Sequence, residues 1–378
     1  MTIDTDALAA KLKVLLTKKV RICIATSEGG GPLLTALSEI PGISSVLMGF
    51  YKPYGKEEID TFHGYTPKSY CDEALSMDRA MMAYYRAYSY GEAPAIGIGL
   101  TASVATTEVH RGDHRIILST FQEGKATQYY IKLTKRSGQA NRVLDVEICN
   151  TLLINALLEV VGESAFINGL PQGVFEEYHF TSDAMPLADQ QLKDHPFFSA
   201  TGERLKAFPL EKYRVGAVYP GTYDPPHFGH FGVKQNYTNL MIGPVAFSIE
   251  AHPLHKDPIP TCKLLQRAKM LKGHDVFLTF GAPLYVDKVK LTPGLYFILG
   301  ADVFPTVIDP KWGVPVEDII RTLRKNNSVF FVGDRTVNGA LVTLNDISYP
   351  KDFPCMRLEG HFDISSSAVR NGERTRGI

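Results

Sequence analysis

The densest run of chemically capable residues is 216–232, GAVYPGTYDPPHFGHFG. A strand-like stretch ends in Pro220-Gly221-Thr222, Asp224-Pro225-Pro226 turns the chain, and His227-Phe228-Gly229-His230 opens a helical pattern. Two histidines three apart at a helix start can point both imidazoles at one anion. The free N–H groups and the dipole of that helix end add to the attraction. Near the other end, Ile364-Ser365-Ser366-Ser367-Ala368-Val369-Arg370 offers serines that can cap a helix and donate to phosphate oxygens, with Arg370 as a fork-shaped cation one turn in. Taken alone, the histidine pair also suits a metal or two unrelated surface residues, and the serine run is a common cap.

Several isolated residues add to this. Lys256 follows His252-Pro-Leu-His255, and Trp312, the sole tryptophan, comes ten residues after the turn Gly300-Ala301-Asp302. Asp302 can equally be a plain helix cap and Trp312 a loop anchor. In the first third, Ser27-Glu28 precede three glycines, Gly29–Gly31, and Tyr51-Lys-Pro-Tyr-Gly-Lys56 follows. A serine and a lysine can form a nucleophile–base pair only if burial lowers the lysine pKa. The run His110-Arg111-Gly-Asp113-His114 reads as a solvated charged turn.

The elements that must position these residues are α/β in character. A helical rhythm over 7–18 is followed by strand 20–25, a helix over 73–87, strands at 95–100, 115–120 and 128–133, and a long helix over 143–161, which predicts a mainly parallel sheet. Residues 162–210 are aromatic, polar and irregular, and read as a connector packed on the surface. A second alternation then begins: strand 214–219, a helix from about 231, strand 244–249, helix 262–272, strand 295–299, helix 316–324 and strand 328–332. The expected division is 1–161, a connector 162–210, and 211–378, the last opening with a strand and a phosphate-type loop.

Composition narrows the function classes. Forty Lys+Arg balance forty Asp+Glu, so the basic excess of a dedicated nucleic-acid binder is missing. No apolar run approaches the length of a membrane span. The start, MTIDTDALAAKLKVLL, lacks the long apolar region of a secretory leader, so a cytoplasmic protein is the expectation. Five scattered cysteines form no CxxC pair and no disulfide-type spacing.

The 216–232 segment resembles the nucleotidylyltransferase superfamily, whose hallmark is a strand followed by GT-[FY]-DP-x-H-x-G-H. Residues 364–370 resemble that family's second element, I-S-S-[ST]-x-x-R; both in order in one chain make coincidence improbable. The resemblance implies a Rossmann-like domain with a parallel sheet that transfers a nucleotidyl group in line and expels pyrophosphate. It implies that His227, His230 and Arg370 act on the triphosphate, and that Gly221, Thr222, Tyr223, Lys256, Ser366 and Ser367 hold phosphates, with Mg2+ accompanying ATP. The run Gly300-Ala301-Asp302, Trp312 and Val332-Gly-Asp-Arg335 is similar to the nicotinamide or nicotinate mononucleotide adenylyltransferases. There the aspartate contacts ribose and the tryptophan stacks on the pyridine. ATP and a pyridine mononucleotide are thus the implied partners, and other phosphate monoesters, with ATP or CTP as donor, remain open. The chain after Arg370 is short, which leaves the adenine pocket to be finished by the other domain or by a second copy in a homo-oligomer.

Residues 20–64 resemble the C-terminal domain of the competence/damage-inducible protein CinA, a family that includes nicotinamide mononucleotide deamidases. Its A-E-S-C-T-G-G segment supplies a serine and its Y-S-N-E-A-K segment a lysine. Lys56 takes the lysine place, but Glu28 stands where the serine belongs and Ser27 lies one residue early. A one-residue slip moves a group by about 3.5 Å. Loss of amidase activity is therefore the expectation, and the alternative for the whole protein is a nucleotide-binding regulator in which both sites bind and neither turns over.

Overall fold

The computed structural model describes residues 3–370 other than 92, 110, 172, 255, 338, 361–363 and 365. It divides into two compact units, Met1–Leu192 and Lys193–Ile378.

The first unit runs α1 (Thr5–Leu12), β1 (Arg21–Thr26), α2 (Gly31–Ser38), β2 (Leu47–Tyr51), α3 (Lys56–His63), α4 (Glu73–Tyr88), β3 (Ala95–Ser103), β4 (Arg115–Gln122), β5 (Lys125–Leu133), α5 (Gln139–Val160), β6 (Phe175–Thr181) and α6 (Met185–Asp194), the last reaching the division. Its sheet has the order β2-β1-β3-β4-β5-β6. The β1 pairings with β2 and β3 are parallel, and the β3–β4, β4–β5 and β5–β6 pairings are antiparallel. The sheet is thus mixed and not mainly parallel. The reason is local: Glu123-Gly124 is a two-residue turn, Gly124 has φ 72, and Gln122 pairs directly with Lys125. Two residues can close a hairpin, whereas a parallel crossover needs a dozen or so.

Helix α4 begins at Asp72, whose carboxylate accepts from Leu75 N at 2.7 Å. It lies unusually close to β3 because that strand is bare at Gly97 and Gly99. A Cβ on Gly97 would stand 2.0 Å from the Ala80 carbonyl oxygen, and one on Gly99 would stand 2.4 Å from Ala80 N. Elsewhere, Ile22, Ile24, Ile98, Leu118, Leu153 and Leu157 share one apolar core.

The second unit runs β7 (Phe197–Phe198), β8 (Arg204–Leu205), β9 (Ala217–Pro220), α7 (Phe228–Met241), β10 (Val245–Glu250), α8 (Thr261–Met270), β11 (Val276–Thr279), α9 (Tyr285–Leu291), β12 (Tyr296–Gly300), α10 (Phe304–Val307), α11 (Val316–Lys325), β13 (Phe330–Gly333), a small β14–β15 hairpin (Arg335–Val337, Ala340–Val342), β16 (Cys355–Leu358) and α12 (Ser366–Arg370). The large sheet has the order β16-β13-β12-β9-β10-β11-β7-β8. Strands β9 to β16 in it pair parallel; β7 and β8 are antiparallel additions. From β9 the chain builds outward on one side through β10 and β11, then returns to build β12, β13 and β16 on the other. That reversal leaves a crevice outside the C-terminal ends of β9 and β12, the usual ligand position of a doubly wound sheet.

Residues 162–210, expected as a connector, carry β6, α6, β7 and β8, so they are shared between the two sheets. Their aromatic content has a structural cause. Phe197 and Phe208 are buried and pack edge-to-face, and Phe208 also packs on Phe277 of β11. Among the described residues no helix is long and apolar enough to cross a membrane.

Candidate functional site

A cavity of about 340 Å³ opens at the C-terminal ends of β9, β10, β12 and β13, and its polar wall includes Thr222, His230, Glu250, Lys288, Asp302 and Arg335. The exit from β9 is tightly built. Gly221 N donates to the Ser248 carbonyl at 2.9 Å, and a Cβ on Gly221 would come within 2.6 Å of the Tyr223 ring. Tyr223 itself has φ 46 and is fully buried. Its hydroxyl donates to the Tyr219 carbonyl, and its ring centroid lies 4.8 Å from that of His230 and 5.1 Å from that of Phe247. Expected at the phosphates, it is instead the wall behind His230, because an aromatic ring gains more from that packing than from solvent. Thr222, next to it, is exposed at the mouth.

His227 caps α7 and is 1% exposed. Its ring stacks on that of His230 at 3.8 Å and 30°. His230 Nδ1 accepts from His227 N at 3.2 Å, which leaves Nε2 to carry the proton. Neither ring nitrogen of His227 has a hydrogen-bond partner among the described residues. Burial and the nearby Arg335 lower His227 to about 4. Burial, His227 and Arg335 together lower His230 to about 3. At neutral pH both are uncharged N–H donors in a water-poor corner, and an arriving polyanion would reverse the electrostatic balance that keeps them neutral.

On the β12 and β13 side, Asp302 lies 3.7 Å from Arg335 Nε. Asp334 receives two bonds from Arg357, each 2.8 Å. On the β10 side, Glu250 accepts from the backbone N–H groups of His252 (3.1 Å), Gly281 (3.0 Å) and Ala282 (3.2 Å). Lys288 is 6% exposed, and its ammonium donates to the Ala282 carbonyl and, at 3.2 Å, to that of Pro283. Burial brings Lys288 down to about 8, opposed by Glu250 and Asp287.

The two sequence patches meet. Ser366 lines the cavity and its Oγ donates to the Pro225 carbonyl at 2.9 Å, while Arg370 donates to the Asp224 carbonyl. Asp224 is shared with Arg267, at 3.0 Å. Arg370 is half exposed and so directed at the turn following Thr222. The side chain of Ser367, and the whole of His255 and Ser365, lie outside the described residues. Lys256 is exposed and does not border this cavity. It borders a neighbouring one of about 400 Å³, together with Trp312, Thr306 and Tyr285. Trp312 Nε1 donates to the Thr306 carbonyl at 2.6 Å, and Lys311 Nζ stands 4.6 Å from its ring. Asp302 and Trp312 therefore belong to different cavities, with Tyr285 bordering both.

In the first unit the turn after β1 is closed on itself. Ser27 Oγ accepts from Ala102 N at 3.2 Å. Glu28 Oε1 accepts from Arg142 at 2.7 Å and from the Tyr54 hydroxyl at 3.1 Å, and Gly30 N donates to Asn150 Oδ1 at 2.6 Å. Lys52, not Lys56, reaches this loop, donating to the Gly29 carbonyl at 3.3 Å. Lys56 begins α3, is exposed, and lies 5.4 Å from the Tyr70 ring. Ser27 and Lys56 are not brought together. His114, expected in a solvated turn, is fully buried, whereas Asp113 beside it is half exposed and 3.7 Å from Lys135. His110 lies outside the described residues.

Glu250, Lys288, Arg142 and Asn150 escaped the sequence reading. The available signals were weak: Glu250 is the one charge closing the apolar strand VAFSIE, and Lys288 stands three residues after Tyr285 on a short helix.

No family model and no curated protein matches the chain. Solved structures do. A competence-damaged protein (CinA) superfamily protein from Escherichia coli is 15% identical, covering 42% of this chain and 94% of its own, with a TM-score of 0.33. One from Enterobacter cloacae is 16% identical, covering 43% and 95%, with a TM-score of 0.33. The competence/damage inducible protein CihA from Agrobacterium tumefaciens is 17% identical, covering 43% and 100%, with a TM-score of 0.30. Each of these matches covers 42–43% of this α/β chain.

Proposed function

We propose that the second unit transfers an adenylyl group from ATP to nicotinamide or nicotinate mononucleotide. A phosphate oxygen of the acceptor forms a bond to the α-phosphorus, the bond from that phosphorus to the β-bridging oxygen breaks, and pyrophosphate leaves. One observation carries the reading: the stacked His227/His230 pair at the start of α7, with neither ring nitrogen of His227 hydrogen-bonded among the described residues, beside a cavity at the reversal point of a doubly wound sheet. Neutral imidazole donors fixed by packing suit charge that develops on the α-phosphoryl group, since they need no reorganisation as it forms. Thr222 at the mouth fits the attacking phosphate. Ser366 and Arg370 sit near enough to the same turn to meet the β- and γ-phosphates after a small side-chain movement.

The donor set also fits a divalent cation carried in by the triphosphate. Among the described residues no three His, Cys, Asp or Glu side chains gather to cage a metal, and Asp302 is the least encumbered carboxylate in the cavity. Bound with ATP, Mg2+ supplies charge neutralisation on the phosphate oxygens.

Pyrophosphate release with ATP and magnesium, with each mononucleotide offered separately and with His230→Ala alongside, tests the proposal. Turnover with neither acceptor would remove the pyridine assignment and point to other phosphate monoesters, with ATP or CTP as donor. For the first unit, the Glu28–Arg142 pair and the distant Lys56 favour binding without deamidation. Ammonia release from nicotinamide mononucleotide by the intact chain would overturn that.

A further inference from the structure

The C-terminal half of α5 borders a cavity of about 420 Å³ to which none of the sequence motifs points. Every residue lining it belongs to the first unit. It also lies away from the glycine turn: Glu159 is nine residues past Asn150, about 13 Å by helical rise. Strand pairing gives the cavity its rings. Tyr129 and Ile131 belong to the apolar core shared with α5, and they stand opposite Phe180 and Tyr178 of the edge strand β6. Residues directly opposite share a face of the sheet, so both β6 rings emerge on the side that α5 covers further in. At the edge that cover stops, and Tyr178 and Phe180 are each 45% exposed. Residues 165–170 supply the far wall, and Asn155 pins it. Its Oδ1 accepts from Phe166 N at 3.0 Å and Ile167 N at 3.2 Å, and its Nδ2 donates to the Ile167 carbonyl at 2.8 Å. The space is therefore held open by the fold.

The charge at this cavity is of one sign. Glu159 stands in the last turn of α5, where the helix dipole is itself negative and no basic residue offsets it. Among the described residues its carboxylate accepts only from the Tyr129 hydroxyl. The neighbouring cations are spent elsewhere. Lys18 pairs with Glu163 at 2.7 Å and Lys132 with Glu176 at 3.3 Å, while Lys11 donates to Ser164 Oγ and the Ala165 carbonyl. We propose that this cavity binds a small organic cation, an ammonium group on an apolar body. The ammonium would donate to Glu159 and lie against the Tyr178 ring, and the body would fill the space between Leu152, Ala156, Ile167 and Phe175. An anion would be repelled by Glu159 and by the helix end, and a neutral molecule would gain only the apolar contacts. This inference does not rest on the reaction proposed for the second unit.

The test titrates the full chain, by saturation-transfer NMR, with probes that share one body and differ in the head: 2-phenylethylammonium, 2-phenylethanol and 3-phenylpropionate. The ammonium should bind about tenfold more tightly than the alcohol, with the carboxylate weakest. Glu159→Gln should bring the ammonium to within about twofold of the alcohol. Tyr178→Ala, at a half-exposed position, should weaken the ammonium by about threefold or more. Glu163→Gln, whose carboxylate already pairs with Lys18, should keep the wild-type ratio. Equal binding of ammonium and alcohol by the wild type, or no binding of any probe, overturns the inference even if the variants fail to fold. A preference that survives either Glu159→Gln or Tyr178→Ala in a folded variant places the cation elsewhere on the chain and overturns it as well.

Discussion

The two units place similar pieces at similar points and use them oppositely. In each, a turn that begins with or contains glycine leaves the C-terminal end of the unit's first parallel strand and runs towards a helix, Gly29–Gly31 in the first unit and Gly221 in the second. In the first unit the polar groups of that turn answer one another: Glu28 with Arg142 and Tyr54, Gly30 with Asn150, Gly29 with Lys52. In the second, polar groups around the turn are held by the fold but left with capacity, as with the ring nitrogens of His227. A buried polar group without a partner costs free energy, so a fold that keeps such a group beside a cavity favours a ligand that satisfies it. A loop that satisfies itself has nothing comparable to offer.

The largest effect expected from this contrast is on turnover. His230→Ala should lower pyrophosphate release by about 10²–10³-fold, the usual loss for one preorganised donor, while Arg142→Ala in the first unit should leave the rate within about twofold. Equal losses would erase the distinction between the units. The next effect is on stability. Gly97→Ala places a methyl against the backbone of α4, at 2.0 Å from Ala80 O, and neither partner can yield cheaply. Calorimetry should show about 3 kcal/mol or more lost from the first unit.

Acid should distinguish the units more gently. His227 and His230 have folded pKa values of about 4 and 3, below the unfolded 6.5. The unfolded chain therefore binds more protons below pH 6.5, and the stability contributed by the neutral pair is complete above that pH and declines as pH falls towards 4. Between pH 6.5 and 5.5 the double variant His227→Gln/His230→Gln should lose less stability than wild type, by about 2 kcal/mol. A parallel pH profile for both proteins would contradict the buried neutral assignment. Smaller still is Gly300→Ala. Its methyl would meet Asp302 Oδ1 at 2.2 Å, and a carboxylate can swing away, so the Asp302–Arg335 approach should be lost and KM for ATP rise by about tenfold with the melting temperature nearly unchanged. Smallest of all, Glu28→Ser should yield no ammonia from nicotinamide mononucleotide, because Lys56 remains over Tyr70.

What could be read from the sequence follows from how far apart the cooperating residues are. His227 and His230 were legible since strand, turn and helix start lie within one short run. The patch at 366–370 was legible as a pattern, but only the fold shows it meeting the Asp224–Pro225 turn. Glu250 and Lys288 were not legible, since each is a single charge in an otherwise ordinary element, and their meeting depends on β10 and α9 sharing an edge of the crevice. Lys52 and Lys56 show the converse difficulty. Both stand in one lysine-bearing motif, and only the direction in which the chain enters α3 decides which of them reaches the glycine turn. The mixed sheet of the first unit went unread because Glu123-Gly124 is short and unremarkable beside the long apolar runs around it.

The pairing of β9 with β12 also has a kinetic consequence. Ala217 meets Tyr296 only after α7, β10, α8, β11 and α9 have been threaded between them, whereas Gln122 meets Lys125 across two residues. Closing distant segments costs chain entropy before any contact repays it, and such pairings form slowly. The crevice between β9 and β12 is made by one of those late closures. On refolding from denaturant, nucleotide binding should therefore return after most of the β-sheet signal has recovered, and a mutation that weakens β12 should delay the recovery of binding more than the recovery of secondary structure.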